Sequence, residues 1–400
     1  MHQTLRYLFA VLLAPVLLLQ AQGQPAGLHA IRPEYRELAA RLSTAPYREP
    51  TSGNSVELIA SGDEVLGRMT MDILEARESV HMEFFIFETD AEGNQIRSAL
   101  RLKGLDGLEV RFITEDIRQK ARFVNRMRYS GVQVRHYPLL PLRHRNHQKI
   151  VVLDGRVAYT GGMNIAHDNL YDWDDVCIRL RGPAVGCLDR VFARMWRHLG
   201  GKEPAHSLPE PEPQEDGITV QVVDDSPGDR GRRNLDAYVW ALDHAKNYFY
   251  IKVPYFTPPR ELRRALKDAV ARGVDVRLLI PEVADWPPEL IKPFDRSFYK
   301  EMVEAGVRIY LRTGKFDHSK IVASDDYFSA AGTVNLDGLS MLYNYENNLL
   351  FYDEAMTLRI KDRILGDLGN CYELTPEHIA AFPLWERCSA GFLRLIGPLL

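Results

Sequence analysis

The hydrophobic positions of this chain follow the same order of patterns twice. In each half a short apolar run typical of a strand is followed by a segment of helical period and then by a second apolar run. The three segments are 79–87, 94–103 and 108–113 in the first half, and 248–255, 260–272 and 274–280 in the second half. Because strands joined by helical crossovers pair in parallel, the pattern predicts an α/β fold of two similar halves, each a mostly parallel sheet flanked by helices.

The segment between the halves has no apolar period. Gly201–Gly217 reads GKEPAHSLPEPEPQEDG and is rich in proline and acidic residues, as interdomain linkers are. The composition therefore predicts a first domain over residues 25–200, a linker over 201–217 and a second domain over 218–400.

The N-terminal residues have a different pattern again. Arg6 precedes an apolar run from Tyr7 to Leu19, after which Gln20–Gln24 is polar with small residues. This is the layout of a secretory signal peptide, and as a helix the run spans roughly 20 Å, short of the roughly 30 Å hydrocarbon core of a bilayer. Residues 1–24 are therefore predicted to be a signal peptide, with an uncleaved N-terminal anchor as the alternative.

A set of polar residues is repeated at a constant offset of 171 residues, the distance from position 147 to position 318. The shared pattern is H-x-K-x4-D-x6-G-x2-N-x10-[D/E], with no insertion in either copy. The repeated residues are His147, Lys149, Asp154, Gly161, Asn164 and Asp175, and then His318, Lys320, Asp325, Gly332, Asn335 and Glu346. A lone His or Lys near a strand is usually a structural residue, but six positions repeated together indicate one active site shared by two halves with pseudo-twofold symmetry.

The local sequence places the repeated residues around a hairpin. The aliphatic run after Lys149 predicts a strand and Asp154-Gly155 its two-residue turn, with Asp325-Asp326 at the same place in the second copy. On such a strand the His and the Lys point to one face, and the returning strand brings the Gly and the Asn back beside them. The motif Asp and Gly residues are predicted to shape the hairpin rather than to react.

Two histidines, two lysines and two asparagines in one cleft predict displacement at a phosphodiester. One neutral imidazole attacks phosphorus while the other, protonated, gives its proton to the leaving alkoxide, and an alcohol or water then regenerates the enzyme. The ammonium and amide groups stabilise the negative oxygens, so neither a metal ion nor a cofactor is expected. Asp175 and Glu346 are each expected to accept the Nδ1 proton of a histidine and to fix its tautomer.

Composition narrows the class of protein. The chain is 46% hydrophobic and 26% charged, as soluble globular proteins are, and its net charge of −4 argues against a protein that coats nucleic acid. No nucleic-acid partner is therefore expected. The cysteines match no zinc spacing, and buried free thiols are preferred to disulfides for Cys177, Cys187, Cys371 and Cys388.

At these motifs the sequence resembles the phospholipase D superfamily, whose mark is the duplicated H-x-K-x4-D motif followed by a glycine and an asparagine. Within the superfamily the chain is most similar to bacterial cardiolipin synthases, over most of its length from about residue 55. The stretches that carry this similarity are Gly161–Ala166, Trp173–Asp175, Arg179–Val185, Pro254–Pro258 and Phe392–Leu400.

The resemblance implies a membrane-associated phosphatidyltransferase that exchanges phosphodiesters through a phosphohistidine intermediate. It implies phospholipid substrates such as phosphatidylglycerol, with His147 as the nucleophile and His318 as the acid and base. Three alternatives stay open at the level of sequence: a phospholipase D-type hydrolase of phospholipids, an exported phosphodiesterase or nuclease, and a catalytically silent lipid-binding protein of the same fold.

Lipid substrates require access to a membrane. Two outcomes are expected for the apolar C-terminal segment, a face lying in the membrane interface or an amphipathic helix docked on the second domain. Its apolar residues are Phe392, Leu393, Leu395, Ile396, Leu399 and Leu400. With the N-terminal segment, this predicts a membrane-associated protein of the bacterial cell envelope, exported to the periplasmic side or anchored in the inner membrane.

Overall fold

The computed structural model describes residues 26–115, 121–138, 144–202, 211–227, 232–284 and 288–396. The predicted signal peptide or anchor lies outside the described residues, as do 203–210 of the predicted linker and the C-terminal residues 397–400. Among the described residues, no helix combines the length and the apolar content that crossing a bilayer requires. The domain boundaries at 201–217 stay a prediction.

The strands divide between the two halves. Those of the first half are β1 (Thr51–Ile59), β2 (Ser79–Phe84), β3 (Glu109–Glu115), β4 (Gln133–Tyr137), β5 (Ile150–Leu153), β6 (Val157–Gly161), β7 (Trp173–Asp174) and β8 (Cys177–Arg181). Those of the second half are β9 (Ile218–Asp225), β10 (Tyr248–Lys252), β11 (Phe256–Thr257), β12 (Asp275–Pro281), β13 (Arg308–Arg312), β14 (Phe316–Asp317), β15 (Ile321–Ser324), β16 (Phe328–Gly332), β17 (Leu336–Asp337), β18 (Glu346–Tyr352) and β19 (Cys371–Glu373).

The helices follow the same division. Those of the first half and its N-terminal extension are α1 (Ala26–His29), α2 (Pro33–Leu42), α3 (Gly62–Glu75), α4 (Ala91–Leu105), α5 (Ala121–Tyr129) and α6 (Ala184–His198). Those of the second half are α7 (Arg233–His244), α8 (Arg260–Ala271), α9 (Pro288–Glu304), α10 (Gly338–Leu342), α11 (Glu354–Gly366), α12 (Pro376–Ala380) and α13 (Leu384–Ile396).

One 15-stranded mixed sheet runs through both halves in the order β19-β13-β12-β10-β15-β16-β18-β9-β1-β8-β6-β5-β2-β3-β4. The strands that are joined by helical crossovers are parallel: β2 with β3 and β4, and β10 with β12 and β13. The other neighbouring strands of each half pair antiparallel. Tight turns connect β5 with β6 and β15 with β16, and longer segments connect β6 with β8 and β16 with β18. The predicted α/β fold is therefore confirmed, and the hairpins make its sheet mixed.

Followed outward from the centre of the sheet, the equivalent strands of the two halves come in the same order, and β19 is one additional strand at the edge of the second half. At the centre the equivalent strands β1 and β9 pair antiparallel, with Thr51 opposite Val220 and Asn54 opposite Ile218. Two similar halves related by pseudo-twofold symmetry thus share one sheet. The apolar core under α6 and α11 is also shared, because Phe192 and Ile360 belong to one cluster that includes strand residues of both halves.

The two predicted hairpins are present. β5 pairs antiparallel with β6, and β15 with β16. Their turns need positive φ at both central residues, and the observed values are 52° at Asp154, 64° at Gly155, 49° at Asp325 and 55° at Asp326. Each hairpin therefore returns the chain, as the sequence predicts, to the end of the strands at which the motif histidine lies.

Candidate active site

Two short crossings between the halves bring the motifs together. In one, β14 pairs with β7, which places Asp317 opposite Asp174, and the His318 amide donates to the Asp174 carbonyl at 2.7 Å. In the other, Asn146 forms a bridge to Tyr345, and the His147 amide donates to the Tyr345 carbonyl at 3.0 Å. Each motif histidine is thereby held beside the residue that precedes the acidic residue of the other half.

The consequence is that each histidine pairs with the acid of the other half. His147 Nδ1 lies 3.0 Å from both carboxylate oxygens of Glu346. His318 Nδ1 lies 2.7 Å from Oδ2 of Asp175. Because a carboxylate accepts, Nδ1 carries the proton in both pairs and Nε2 is left as the nitrogen that can react. The sequence predicted that both acids accept from a histidine, and the structure adds that the pairs cross.

The two carboxylates are held differently. Glu346 also accepts from Thr333 Oγ1 at 2.5 Å, whereas Asp175 Oδ1 accepts from the Val176 amide at 2.7 Å. The position equivalent to Thr333 in the first half is Gly162, where a Cβ atom would lie 2.3 Å from Asp175 Oδ1. No side chain fits there, so the first half has no equivalent of the Thr333 hydroxyl.

The pKa values of these groups follow from burial and from their partners. Burial alone would raise the pKa of Glu346, but His147 and the Thr333 hydroxyl outweigh it and hold that pKa below its ordinary value. Burial raises the pKa of Asp175 to about 6, against the opposing effect of the Lys320 ammonium. Burial also lowers the pKa of His147, with Glu346 opposing, which favours a neutral imidazole.

Both motif lysines are buried beside the histidines. Lys149 Nζ donates to the His147 carbonyl at 2.8 Å, and Lys320 Nζ donates to the His318 carbonyl at 2.5 Å. Burial and the nearby Lys320 ammonium together lower the pKa of Lys149 to about 7. Since the two ammonium groups affect one another, the two motifs form a single electrostatic site that is suited to an anion.

The motif asparagines lie directly after the returning strands. Asn164 is buried, and its Oδ1 accepts from the Ile86 amide at 3.2 Å beyond the end of β2. Asn335 is buried next to β17 and lies near Asp337, whose pKa burial raises to about 6 with the Asn335 amide acting against the shift. Acceptance through Oδ1 leaves the amide nitrogen of Asn164 as its donor toward a ligand.

The motif glycines allow two strands to approach closely. A Cβ atom on Gly161, whose φ is +130°, would lie 2.3 Å from the Val176 carbonyl oxygen. A Cβ atom on Gly332 would lie 2.2 Å from Asn348 Oδ1. Glycine at these positions therefore keeps β8 and β18, and with them Asp175 and Glu346, in place.

The motif aspartates lie at the far end of each hairpin from the histidines. The Asp154 carboxylate accepts from the amides of residues 77–79 at 2.9, 2.8 and 2.9 Å. The Asp325 carboxylate accepts from the amides of residues 246–248 at 2.7, 2.9 and 3.1 Å. Both residues tie a hairpin turn to the start of the neighbouring strand, in keeping with the scaffold role that the sequence predicts.

Aromatic rings border both histidines. Phe85 lies edge-on to His147 with ring centroids 5.1 Å apart, and its ring is 5.7 Å from Lys149 Nζ. Trp173 lies 5.2 Å from His318. The apolar run 79–87 suggests that Phe85 belongs to the core, but β2 ends at Phe84 and the half-buried Phe85 lies at the site.

Buried charges fix the crossing that positions His318. Lys252 Nζ lies 2.5 Å from Asp317 Oδ2 and also pairs with Asp367. Arg312 pairs with Asp174 and lies 3.7 Å from Asp317. Charge pairs of this kind are costly to break when they are buried, so the crossing is rigid.

Two further expectations can be compared with the described residues. Within them, no group of three or more His, Cys, Asp and Glu side chains is arranged to hold a metal ion. Cys177 and Cys187 are buried free thiols, as predicted, while Cys371 is partly buried and Cys388 is exposed. Burial was therefore predicted correctly for only two of the four.

Comparison with known proteins identifies the family of this chain. The family described as "Cardiolipin synthase, PLD-like domain" matches residues 69–196 and 238–367, one match in each half. A cardiolipin synthase of Listeria welshimeri is 30% identical over 370 residues, which cover 88% of this chain and 76% of that protein. Cardiolipin synthase A of Pseudomonas fluorescens is 32% identical over 365 residues, or 87% of this chain and 76% of the relative.

The fold also has counterparts among solved structures. The crystal structure of a phosphatidylserine synthase from Haemophilus influenzae Rd KW20 superposes with a TM-score of 0.66 at 16% sequence identity. The superposition covers 90% of this chain and 100% of that one. At this identity the likeness shows a common fold.

Proposed function

The chain belongs to the family described as cardiolipin synthase, PLD-like domain, and is an enzyme of the phospholipase D superfamily; on this premise we propose that it is a phosphatidyltransferase of cardiolipin synthase type. The observation that carries the proposal is the pair of crossed contacts, His147 with Glu346 and His318 with Asp175. They hold both imidazoles through Nδ1, which assigns Nε2 of each ring as the reactive nitrogen.

In the first step, His147 Nε2 attacks the phosphorus of a phospholipid and forms a phosphorus–nitrogen bond. The phosphorus–oxygen bond to the head-group alcohol breaks, and protonated His318 gives its proton to the leaving oxygen. Glu346 stabilises the positive charge that develops on His147. The resemblance to the family assigns His147 as the nucleophile, and its lowered pKa, which favours the neutral form, supports the same choice.

In the second step, the hydroxyl group of an acceptor lipid attacks the phosphohistidine. His318, now neutral, takes the hydroxyl proton, and the phosphorus–nitrogen bond breaks to restore neutral His147. The ammonium groups of Lys149 and Lys320 and the amide groups of Asn164 and Asn335 stabilise the phosphoryl oxygens in both steps. With phosphatidylglycerol as donor and acceptor, the products are cardiolipin and glycerol.

Burial of the site favours an alcohol over water as the acceptor. His147 is 8% exposed, His318 5% and Lys149 1%. A site that excludes water slows hydrolysis of a reactive intermediate relative to transfer to a bound alcohol. This favours transfer over the hydrolase alternatives, and from the substrate class we infer that the enzyme acts at a membrane surface of the bacterial cell envelope.

The proposal is tested by incubating the purified full chain with phosphatidylglycerol and analysing the lipid products. We expect cardiolipin and released glycerol, and loss of both with His147→Ala or His318→Ala. The matched control is His167→Ala, because His167 is an exposed histidine that pairs with Glu92 away from the site.

Other products would contradict the proposal in distinct ways. Phosphatidic acid as the only product indicates a hydrolase, and cleavage of nucleic acid with no change in lipid indicates a nuclease. Absence of lipid turnover in wild type and in both histidine variants indicates a lipid-binding protein without catalysis. The phosphohistidine itself can be identified by covalent labelling of the protein that is labile in acid and stable in base. His147→Ala should abolish this labelling, and His318→Ala should retain it.

A further inference from the structure

The C-terminal helix α13 exposes several large apolar side chains. Leu384 is 70% exposed, Trp385 57% and Phe392 64%, and Cys388 between them is exposed as well. Positions 384, 388 and 392 are spaced by four residues and lie on one side of a helix, with Trp385 beside them. The outward face of α13 is therefore a continuous apolar stripe.

The inward face of α13 carries the buried Leu393 and is also fixed to α9 by polar contacts. Glu386 accepts from Arg296 at 3.2 Å through both oxygens. Arg394 donates to the Ser297 carbonyl at 2.7 Å and pairs with Glu301 at 3.2 Å. Because the polar contacts hold the helix on the protein, the apolar stripe is presented to the outside. Of the two outcomes that the sequence leaves open for this segment, the docked helix is observed: Leu393 is buried against the protein, while Phe392 lies on the outward face.

A cavity of about 420 Å³ lies between α13, α12 and α9. Its lining combines four basic side chains, two acidic ones and an apolar wall. The basic residues are Arg296, Lys300, Arg387 and Arg394, and the acidic ones are Glu304 and Glu386. Phe382 and Leu384 contribute to the apolar wall, so the excess of positive charge adjoins the apolar stripe.

This surface is connected to the candidate active site by direct contacts. β17, which follows Asn335, pairs with β11, and the Phe256 amide in β11 donates to Asp295 Oδ1 at 2.9 Å. The next residue of α9 is Arg296, which holds Glu386 of α13. α13 is thus linked through α9 and β11 to the strand that follows the asparagine of the second motif.

We propose that α13 and the cavity behind it form a docking surface for a bilayer that contains anionic phospholipid. The apolar stripe enters the acyl region, Trp385 lies at the interface, and the exposed Arg387, which donates to the Ala380 carbonyl at 2.9 Å, binds lipid phosphate. A bilayer supplies both the apolar and the anionic groups that this surface matches, whereas a second copy of the chain would have to bring acidic residues to an apolar helix. That the bilayer on this surface carries the substrate rests on the proposed function.

The test measures co-sedimentation of the purified full chain with vesicles of phosphatidylcholine alone or with added phosphatidylglycerol. We expect binding that increases with phosphatidylglycerol and weakens about tenfold or more in Trp385→Ser/Phe392→Ser, because two large side chains leave the apolar phase. Arg387→Gln should reduce the preference for phosphatidylglycerol and leave binding to neutral vesicles unchanged. The matched control is Leu102→Ser/Leu105→Ser, which removes two exposed leucines of α4 and should bind as wild type.

Three results would overturn the docking surface: wild-type binding by the α13 double variant, equal weakening by the α4 double variant, or a change in oligomeric state of the α13 variant with vesicle binding unchanged. The last result identifies a second copy as the occupant. Transfer activity toward short-chain, monomeric phosphatidylglycerol should be the same in the α13 variant and wild type. If wild type shows no transfer at all, the proposed function fails while the vesicle result still decides the docking surface.

Discussion

At the scale of single residues, the two histidine–carboxylate pairs differ in one hydroxyl group. Thr333 donates to Glu346, while Gly162 leaves no room for a side chain against Asp175. The pKa of Glu346 is held below its ordinary value, whereas burial raises that of Asp175 to about 6. The motif is symmetric in sequence, but its two histidine–carboxylate pairs differ in proton affinity, which matches the different roles proposed for them, nucleophile for His147 and acid and base for His318.

Thr333→Val should weaken catalysis through Glu346. The valine keeps the shape of the side chain but removes a hydrogen bond to an anion, a loss of about 1.5 to 3 kcal/mol. We expect kcat to fall about tenfold or more and the acid limb of the pH profile to move up by about one unit, since the pKa of Glu346 rises when a donor is lost. The measurement is kcat for lipid transfer as a function of pH.

Two variants control for general damage by this substitution. Thr333→Ser keeps the hydroxyl group and should restore the wild-type profile. Thr357→Val removes an equally buried hydroxyl that contacts Ser329 Oγ at 2.9 Å, and it should affect stability without moving the pH profile. An unshifted acid limb in Thr333→Val would rule out the positioning role.

At the scale of elements, the motif hairpin is a structural unit with chemistry at one end only. β5 and β15 each carry a histidine and a lysine before the strand and an aspartate after it. The aspartate carboxylates tie the turns to the amides that precede β2 and β10. These contacts fix the position of the hairpin, and with it the motif histidine, relative to the neighbouring parallel strands.

Asp154→Ala should destabilise the fold and leave the chemistry intact. It removes the acceptor of three backbone N–H groups, which we expect to lower the free energy of unfolding by about 2 to 3 kcal/mol. Urea denaturation measures this loss, and the folded fraction should keep the KM of wild type. Asp106→Ala, at the exposed end of α4, is the control with little expected effect. Loss of turnover with an unchanged unfolding free energy would instead make Asp154 a catalytic residue.

At the scale of the whole molecule, neither half contains a complete site. His147 takes its acid from the second half and His318 takes its acid from the first. The shared sheet and the shared core under α6 and α11 keep the halves in register, so the distances at the site depend on contacts far from it.

The crossing predicts a specific pattern in the imidazole NMR signals of selectively labelled protein. Asp175→Asn should abolish the low-field Nδ1–H resonance of His318, which lies in the other half, and preserve that of His147. Glu346→Gln should do the reverse. Retention of the His318 resonance in Asp175→Asn would show that the pairs do not cross in solution.

Much of this architecture follows from local sequence, and some of it does not. The crossover helices and the hairpins are set by periodicity and by Asp154-Gly155, and the repeat at a fixed offset reveals two halves. Which acid serves which histidine depends on β7 and β14, which are two residues long and have no sequence pattern of their own. Thr333 was missed, although alignment of the copies sets it against Gly162.

The crossed pairs also govern when the chain can become active during its synthesis. His147 is separated from Glu346 by 199 residues, and His318 from Asp175 by 143. A nascent chain that has folded only its first half contains His147 without Glu346, and Asp175 without His318. On the proposed function, reactivity toward lipid requires Glu346 and the pairing of β18 in the sheet, so a chain that has folded only its first half is expected to be inactive.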